Sequence, residues 1–385
     1  MPRLSAMDSL SRSSIQDLLC QLISIPSVNP TVSPEEPYGE KAIAEFARDW
    51  LQAHSITARL EEVAPGRPNV YAEVGLGNGP TLCLCAHLDT VGTAGMTISP
   101  FEPRIESNKV YGRGSYDMKG GVAAIMSAAA AIATELSIHG KLILALVADE
   151  EYASIGADDF VKKHKADACI LVEPSEQKVI LGHKGFFWAE IATKGRAAHG
   201  SRWDIGVSAI GKMGRIIVAL EEFDKNILRK RVHPLVGPAS MHCALIQGGS
   251  GVSTYAPECT LKIERRTIPG EKSEDIVREL KEVIRATGED AEVNCYFQRP
   301  SLLCDRDEPV VQHLRAAAQS VTGVQPEEAG VAFWMDAAVF AGAGIPTVNY
   351  GSSGAGAHEA VEWVDLDSVI SVAQVMVETA RRFCK

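Results

Sequence analysis

The 385-residue chain has no CxxC pair, no apolar run long enough to cross a bilayer, no internal repeat and no low-complexity tract. Its nine cysteines are scattered, with Cys83 and Cys85 inside the apolar run TLCLCAHLD, so the spacing encodes neither a disulfide framework nor a zinc finger. Their odd number and strand-like settings predict reduced, buried thiols in a cytoplasmic protein. MPRLSAMDSLSRSS lacks the apolar core of a signal peptide, and VAAIMSAAAAIATEL is too short and too soon followed by polar residues for a membrane span. Positive charge is scarce. With 38 Lys and Arg against 49 Asp and Glu, the net charge of -11 works against nucleic acid or an anionic membrane as a partner.

What is present is ample apolar material, 46% of residues, in a chain long enough for two domains. SSIQDLLCQLISI and GEKAIAEFARDWLQAHSI read as amphipathic helices. PNVYAEVGL, TLCLCAHLD, KLILALVADE, ACILVEP and IPTVNYG read as short buried strands alternating with helical segments. That alternation predicts an α/β fold whose mostly parallel sheet is covered by helices on both faces. From about 182 to 300 the order changes to βαββαβ, that of a ferredoxin-like α+β module. The expected organisation is a first domain formed by 1–181 and 301–385, with 182–300 inserted into it.

In open α/β sheets ligands gather at the carboxyl ends of the strands. Polar residues of this sequence collect there. TLCLCAHLDTV ends in His87 and Asp89, whose spacing puts both side chains on one face; a hydrogen-bonded strand-end histidine would also explain the pair. GRGSYDMKGG places Asp117 before an Ala-rich helix, where a helix N-cap is the simpler reading. ADEE supplies Glu150 and Glu151, ACILVEPSE supplies Glu173, and the Gly-rich SSGAGAHEAVEWV supplies His358. Two histidines and several carboxylates without a thiolate suit Zn²⁺ in a catalytic site, with Co²⁺ or Mn²⁺ as substitutes. Two ions about 3.5–4 Å apart need a bridging acid, a histidine and a further acid each, and one free acid. His87, His358, Asp117, Glu151, Glu173 and Glu150 fill that set.

The chain resembles the dinuclear-zinc amidohydrolases and exopeptidases that include acetylornithine deacetylase, succinyl-diaminopimelate desuccinylase, aminoacylase and glutamate-releasing carboxypeptidases. AHLDTV, GRGSYDMKGG, ADEE, VEPS, GRAAHGS, ERRTIPGE and GAHEAVEWV are similar to that family's motifs, in its order. The resemblance implies two Zn²⁺ per subunit, one on His87 and Glu173, the other on Glu151 and His358, bridged by Asp117. It implies that Asp89 orients His87 and that Glu150 is the general base. It further implies that the inserted module is a lid through which the chain forms a homodimer. There His199 would polarise the scissile carbonyl and Arg266 would receive a substrate carboxylate.

Departures from the family pattern fall at substrate-facing positions. Thr254 stands where many deacylases carry Asn, Glu264 where Asp is usual, Met335 where Thr is common, and SSGAGAH where a Gly-Pro-Gly loop is frequent. Glu173, where aminopeptidases tend to have Asp, favours an acylated amino acid or a dipeptide as substrate. The expected activity is hydrolysis of such an amide. The competing readings are a dipeptidase or aminopeptidase, another C–N hydrolase such as a deaminase, and a catalytically silent binding homologue. Against the last, Glu150 and every ligand position are filled. Arg266 has its own bland alternative, a strand-face cation paired with Glu264.

Overall fold

The computed structural model describes residues 9–36, 38–135 and 138–385, and the chain divides into two compact units. Residues 1–8, the first part of the polar start, lie outside the described residues. One unit comprises Met1–Leu181, Cys304–Ala329 and Met335–Lys385. The other comprises Gly182–Leu303 and Gly330–Trp334, so it takes in a short return segment that a boundary at 300 leaves out.

The first unit is built on a sheet whose centre is parallel. Its four central strands run in the order Lys141–Val147, Thr81–His87, Ala168–Leu171, Thr347–Asn349. They are almost wholly buried, which is why they read as unbroken apolar runs rather than alternating ones. Antiparallel strands flank them: Arg67–Gly75 with its hairpin partner Thr57–Ala64 on one side, and Val179–His183 on the other. Register sets the site. His87 pairs with Val147 and Cys85 with Leu171, so the residues that follow all three strands emerge at one edge.

The Ala-rich stretch that is too short for a membrane forms the helix Gly120–Glu135, with every residue from 120 to 132 buried. Small side chains let it sit against the helix Leu366–Phe383 and close to the sheet. Gly121 is the point of closest approach, since a Cβ there would lie 2.5 Å from the Val172 carbonyl oxygen. This seats the start of the helix over the strand end that carries Glu173. Among the described residues no helix is long and apolar enough to cross a membrane.

A second, small sheet has no counterpart in the hydropathy pattern. It runs Gly354–Ala355, Trp363–Asp365, Lys109–Tyr111, Arg104–Glu106, all antiparallel. Strands of two and three residues carry no periodicity. Yet this sheet joins the chain before Asp117 to the loop that holds His358.

The second unit has the order strand Gly185–Lys194, helix Ala209–Asn226, strands Ser240–Gly248 and Glu258–Thr267, helix Ser273–Ala286, strand Glu292–Arg299. The antiparallel sheet runs Ser240–Gly248, Glu258–Thr267, Gly185–Lys194, Glu292–Arg299, a ferredoxin-like arrangement. Alternate residues Phe187, Ala189, Ile191, Leu261 and Ile263 form its core with Ile216, Leu220, Ile276 and Leu280 of the helices. The edge strand Ser240–Gly248 exposes Leu245 and Ile246.

Candidate metal centre

Three strand ends, one turn and one loop bring six polar side chains of the first unit together. His87 closes its strand; its Nδ1 lies 2.9 Å from the Asp89 carbonyl oxygen. A carbonyl only accepts, so Nδ1 carries a proton, which leaves Nε2 as the ring nitrogen that a cation would take. Nε2 stands 3.2 Å from Asp117 Oδ1 and 3.5 Å from Glu173 Oε1. On the other side of Asp117, His358 Nε2 stands 3.3 Å from Oδ2 and 3.1 Å from Glu151 Oε2. Two donor triplets result, His87–Asp117–Glu173 and Asp117–Glu151–His358, each with its donor atoms within 4.8 Å of one another. Asp117 belongs to both. Its place in the turn Ser115–Lys119, with φ -116° and ψ 91°, differs from the N-cap reading, because its two oxygens face two histidines rather than helix N–H groups.

Electrostatics show how far the site is from neutral. Burial drives the carboxyls of Glu150, Glu151 and Glu173 above the usual carboxylate range, and neighbouring acids push Glu150 and Glu173 further. Burial opposes charge on the His87 ring, but Glu173 and Asp117 outweigh it and hold its pKa well above the ordinary value. Hydrogen bonds to Asp117 and Glu151 push His358 up to about 10. Asp117 resists its own desolvation and is lowered by the two histidines. Glu151 Oε1 is buried and meets no hydrogen-bond donor among the described residues. Hard oxygen and imidazole donors, one shared carboxylate and an orphaned carboxylate oxygen fit a pair of divalent cations.

The role expected of Asp89 changes in detail. The Asp89 carboxylate is 3.7 Å from His87 Nδ1, so the ring is oriented by the Asp89 main chain. The carboxylate instead accepts the backbone N–H groups of Glu150 and Glu151, each at 3.1 Å, and the Asn29 amide at 2.8 Å. It therefore fixes the segment that carries both glutamates. Asp149, the third acid of ADEE, turns away with φ 73° and accepts Asn29 Nδ2 at 3.0 Å and Arg67 Nη1 at 2.6 Å. Arg67 also pairs with the fully buried Glu40.

Asn29, Arg67, Asn349 and Glu362 were not legible as site residues. Asn349 clamps Glu173 from both sides: its Oδ1 accepts the Glu173 N–H at 2.8 Å and its Nδ2 donates to the Glu173 carbonyl at 3.1 Å. The only available signal was a polar residue at the end of an apolar strand. The buried Glu362 accepts the N–H groups of Tyr116 and Asp117, at 2.9 and 3.0 Å.

The remaining sequence candidates lie in the second unit. His199 and Thr254 face each other across an isolated antiparallel bridge, and both are exposed. His199 Nδ1 is 2.8 Å from Ser201 Oγ. Arg266 is half-buried, pairs with Glu264 at 3.0 Å and lies 5.7 Å above the Phe186 ring. The strand-face pairing therefore exists, while one side of the guanidinium rests on an aromatic ring.

Residues 83–382 match peptidase family M20/M25/M40. The chain is 26% identical over 375 residues to an acetylornithine deacetylase of Vibrio cholerae serotype O1, covering 94% of this chain and 97% of the relative. It is 31% identical over 313 residues to a peptidase M20 domain-containing protein of Schizosaccharomyces pombe, 78% of this chain and 74% of that protein. Among solved structures, aminopeptidase PepT of Bacillus cereus superposes with a TM-score of 0.80 over 98% of this chain and 100% of its own, at 19% identity.

Proposed function

The chain belongs to peptidase family M20/M25/M40, metal-dependent hydrolases, and from that premise we propose that it cleaves the amide bond of an N-acyl amino acid or dipeptide. One observation carries the reading: two histidine–carboxylate triplets share Asp117, with Glu150 beside them and outside both. In this reading two Zn²⁺ ions are held by His87, Glu173, Asp117, Glu151 and His358, with Co²⁺ or Mn²⁺ able to substitute. When bound, such a pair supplies Lewis acidity at the scissile carbonyl.

The chain's own residues do the rest. Glu150 takes a proton from the attacking water and delivers it to the leaving nitrogen; it stands beside Glu173 and Glu151 yet belongs to neither triplet, which leaves its carboxylate available for that task. Asp89 holds the backbone of Glu150 and Glu151, so base and ligand keep their spacing. Arg266 receives the substrate carboxylate with two parallel N–H donors, which offsets repulsion by a chain of charge -11. His199 donates a proton or hydrogen bond to the developing oxyanion, and Thr254, its bridge partner, lines the same substrate-facing surface.

The named relative acts on acetylornithine, and Glu173 in place of Asp favours the same kind of acylated amino acid here. The exposed Leu245 and Ile246 on an edge strand support a homodimer joined through the second unit. Nine free thiols, six of them buried, support a reducing compartment such as the cytoplasm. The deciding experiment is a panel of N-acetyl, N-succinyl, N-formyl and N-carbamoyl amino acids plus dipeptides, assayed with Zn²⁺, Co²⁺ and Mn²⁺. Release of an amino acid from at least one acylated substrate is expected. Turnover confined to peptides with a free amino terminus would shift the reading to an aminopeptidase.

A further inference from the structure

Asp117 and His358 stand on a turn and a loop that are 241 residues apart in sequence, so something other than local structure must fix their separation. The residue that does so is Glu362. It is fully buried, and each of its oxygens takes two donors. Oε1 accepts the backbone N–H groups of Tyr116 at 2.9 Å and Asp117 at 3.0 Å. Oε2 accepts the N–H of Gly114 at 2.9 Å and Arg113 Nη1 at 2.7 Å. Arg113, itself buried, donates onward from Nη2 to the Glu359 carbonyl at 3.3 Å, in the loop just after His358. Pairing of Trp363 with Tyr111 in the small sheet sets this carboxylate beneath the turn.

We propose that Glu362 is a positioning residue for the metal site held by Asp117, Glu151 and His358. It rests on the reading of Asp117 and His358 as ligands. The argument is one of donor count. A buried carboxylate surrounded by four N–H groups is fully satisfied, and it holds the Asp117 main chain at a fixed distance from the His358 loop. An isosteric amide cannot do this, because its nitrogen has no lone pair to offer and would face two donors. The turn would then move relative to the loop, and the cost would fall on the triplet that draws from both. The triplet His87–Asp117–Glu173 has its other two members on strand ends and would suffer less.

The test is Zn²⁺ titration of the chelator-stripped full chain, in competition with a chromogenic chelator, for the parent, Glu362→Gln and Asp117→Asn. In Glu362→Gln one of the two Zn²⁺ equivalents should weaken by ~10- to 100-fold, the usual effect of losing an outer partner, and the other by much less. The melting temperature of the metal-free variant shows whether the fold is intact. Two equivalents bound by Glu362→Gln as tightly as by the parent, with Asp117→Asn impaired, would overturn the inference and leave the ligand reading standing. If Asp117→Asn also bound both equivalents normally, the ligand reading itself would fail, and this inference with it. Amide hydrogen exchange on the unmutated, metal-free protein gives an answer even if Glu362→Gln does not fold. The N–H groups of Tyr116 and Asp117 should be strongly protected, and exchange as fast as in an open loop would overturn the role assigned to Glu362.

Discussion

In the first unit the groups that brace the candidate metal centre are buried under layers of partners, whereas the substrate-facing candidates of the second are exposed or half-buried. Asp89, Asn29, Asp149 and Glu40 are almost completely inaccessible and linked into one network with Arg67. His199 and Thr254 are exposed and bound only to near neighbours, and Arg266 leans on Glu264 of its own strand. Removal of a buried partner leaves a charge with no water to turn to, while an exposed group loses little when a neighbour changes. On the proposed reading, the contrast is that of a fixed half that would hold the metals and an adaptable half that would hold the substrate. It predicts that substitutions in the first unit act on turnover and stability, and those in the second on rate to a lesser degree and on substrate affinity.

The largest effect should come from Glu150→Ala, which removes the proton-transfer group without touching a ligand. Turnover should fall by ~10² to 10⁴ with metal content unchanged, as measured by steady-state rates and elemental analysis. Near-full activity would mean that the roles of Glu150 and Glu151 are misassigned. Arg67→Met probes the network instead of the chemistry. It strands Asp149 and Glu40 without their cation and should destabilise the fold by roughly 3–5 kcal/mol in chemical denaturation.

In the second unit, His199→Ala should cost about 10² to 10³ in rate, the worth of one oxyanion donor, with metal binding unaltered. If the site is shared across a dimer, mixing His199→Ala with Glu150→Ala subunits should restore activity to at most about half per mixed dimer. No recovery after demonstrated subunit exchange would place His199 with its own subunit. Arg266→Lys should be smaller still, a rise in KM of about tenfold with kcat little changed, because a point charge cannot make the paired bonds. A rise in KM for an amidated substrate equal to that for the free acid would remove the carboxylate argument.

The strand-end members of the candidate site are legible in the sequence because parallel strands leave their polar residues where the apolar run stops, and His87, Glu150, Glu151 and Glu173 do so. Asp117 and His358 carry only Gly-rich surroundings in the sequence, and for Asp117 alone the N-cap is the simpler reading, whereas in the structure both its oxygens face imidazoles. What stayed hidden were the groups that hold these residues. Asn29, Arg67, Asn349 and Glu362 reach across long stretches of sequence, 60 residues from Asn29 to Asp89, 82 from Arg67 to Asp149, 176 from Asn349 to Glu173 and 245 from Glu362 to Asp117, and no periodicity marks such pairings. Asp89 shows the same limit, since its spacing from His87 pointed to the carboxylate whereas the main-chain carbonyl makes the contact.

The central claim, that this cluster exists to hold two cations, is tested most directly by zinc binding as a function of pH. Without metal, burial and neighbouring acids shift Glu150, Glu151 and Glu173 toward protonation, Glu173 and Asp117 do the same to His87, and hydrogen bonds to Asp117 and Glu151 push His358 up to about 10. Raised pKa values mean that the empty cluster carries protons at neutral pH, and a cation must displace them, so affinity must rise as pH rises. Calorimetric titration of the chelator-stripped chain in buffers of different ionisation enthalpy should find two Zn²⁺ per chain, protons released on binding, and affinity increasing from about pH 6 to 8. A single equivalent, or binding that releases no protons and ignores pH, would contradict the account.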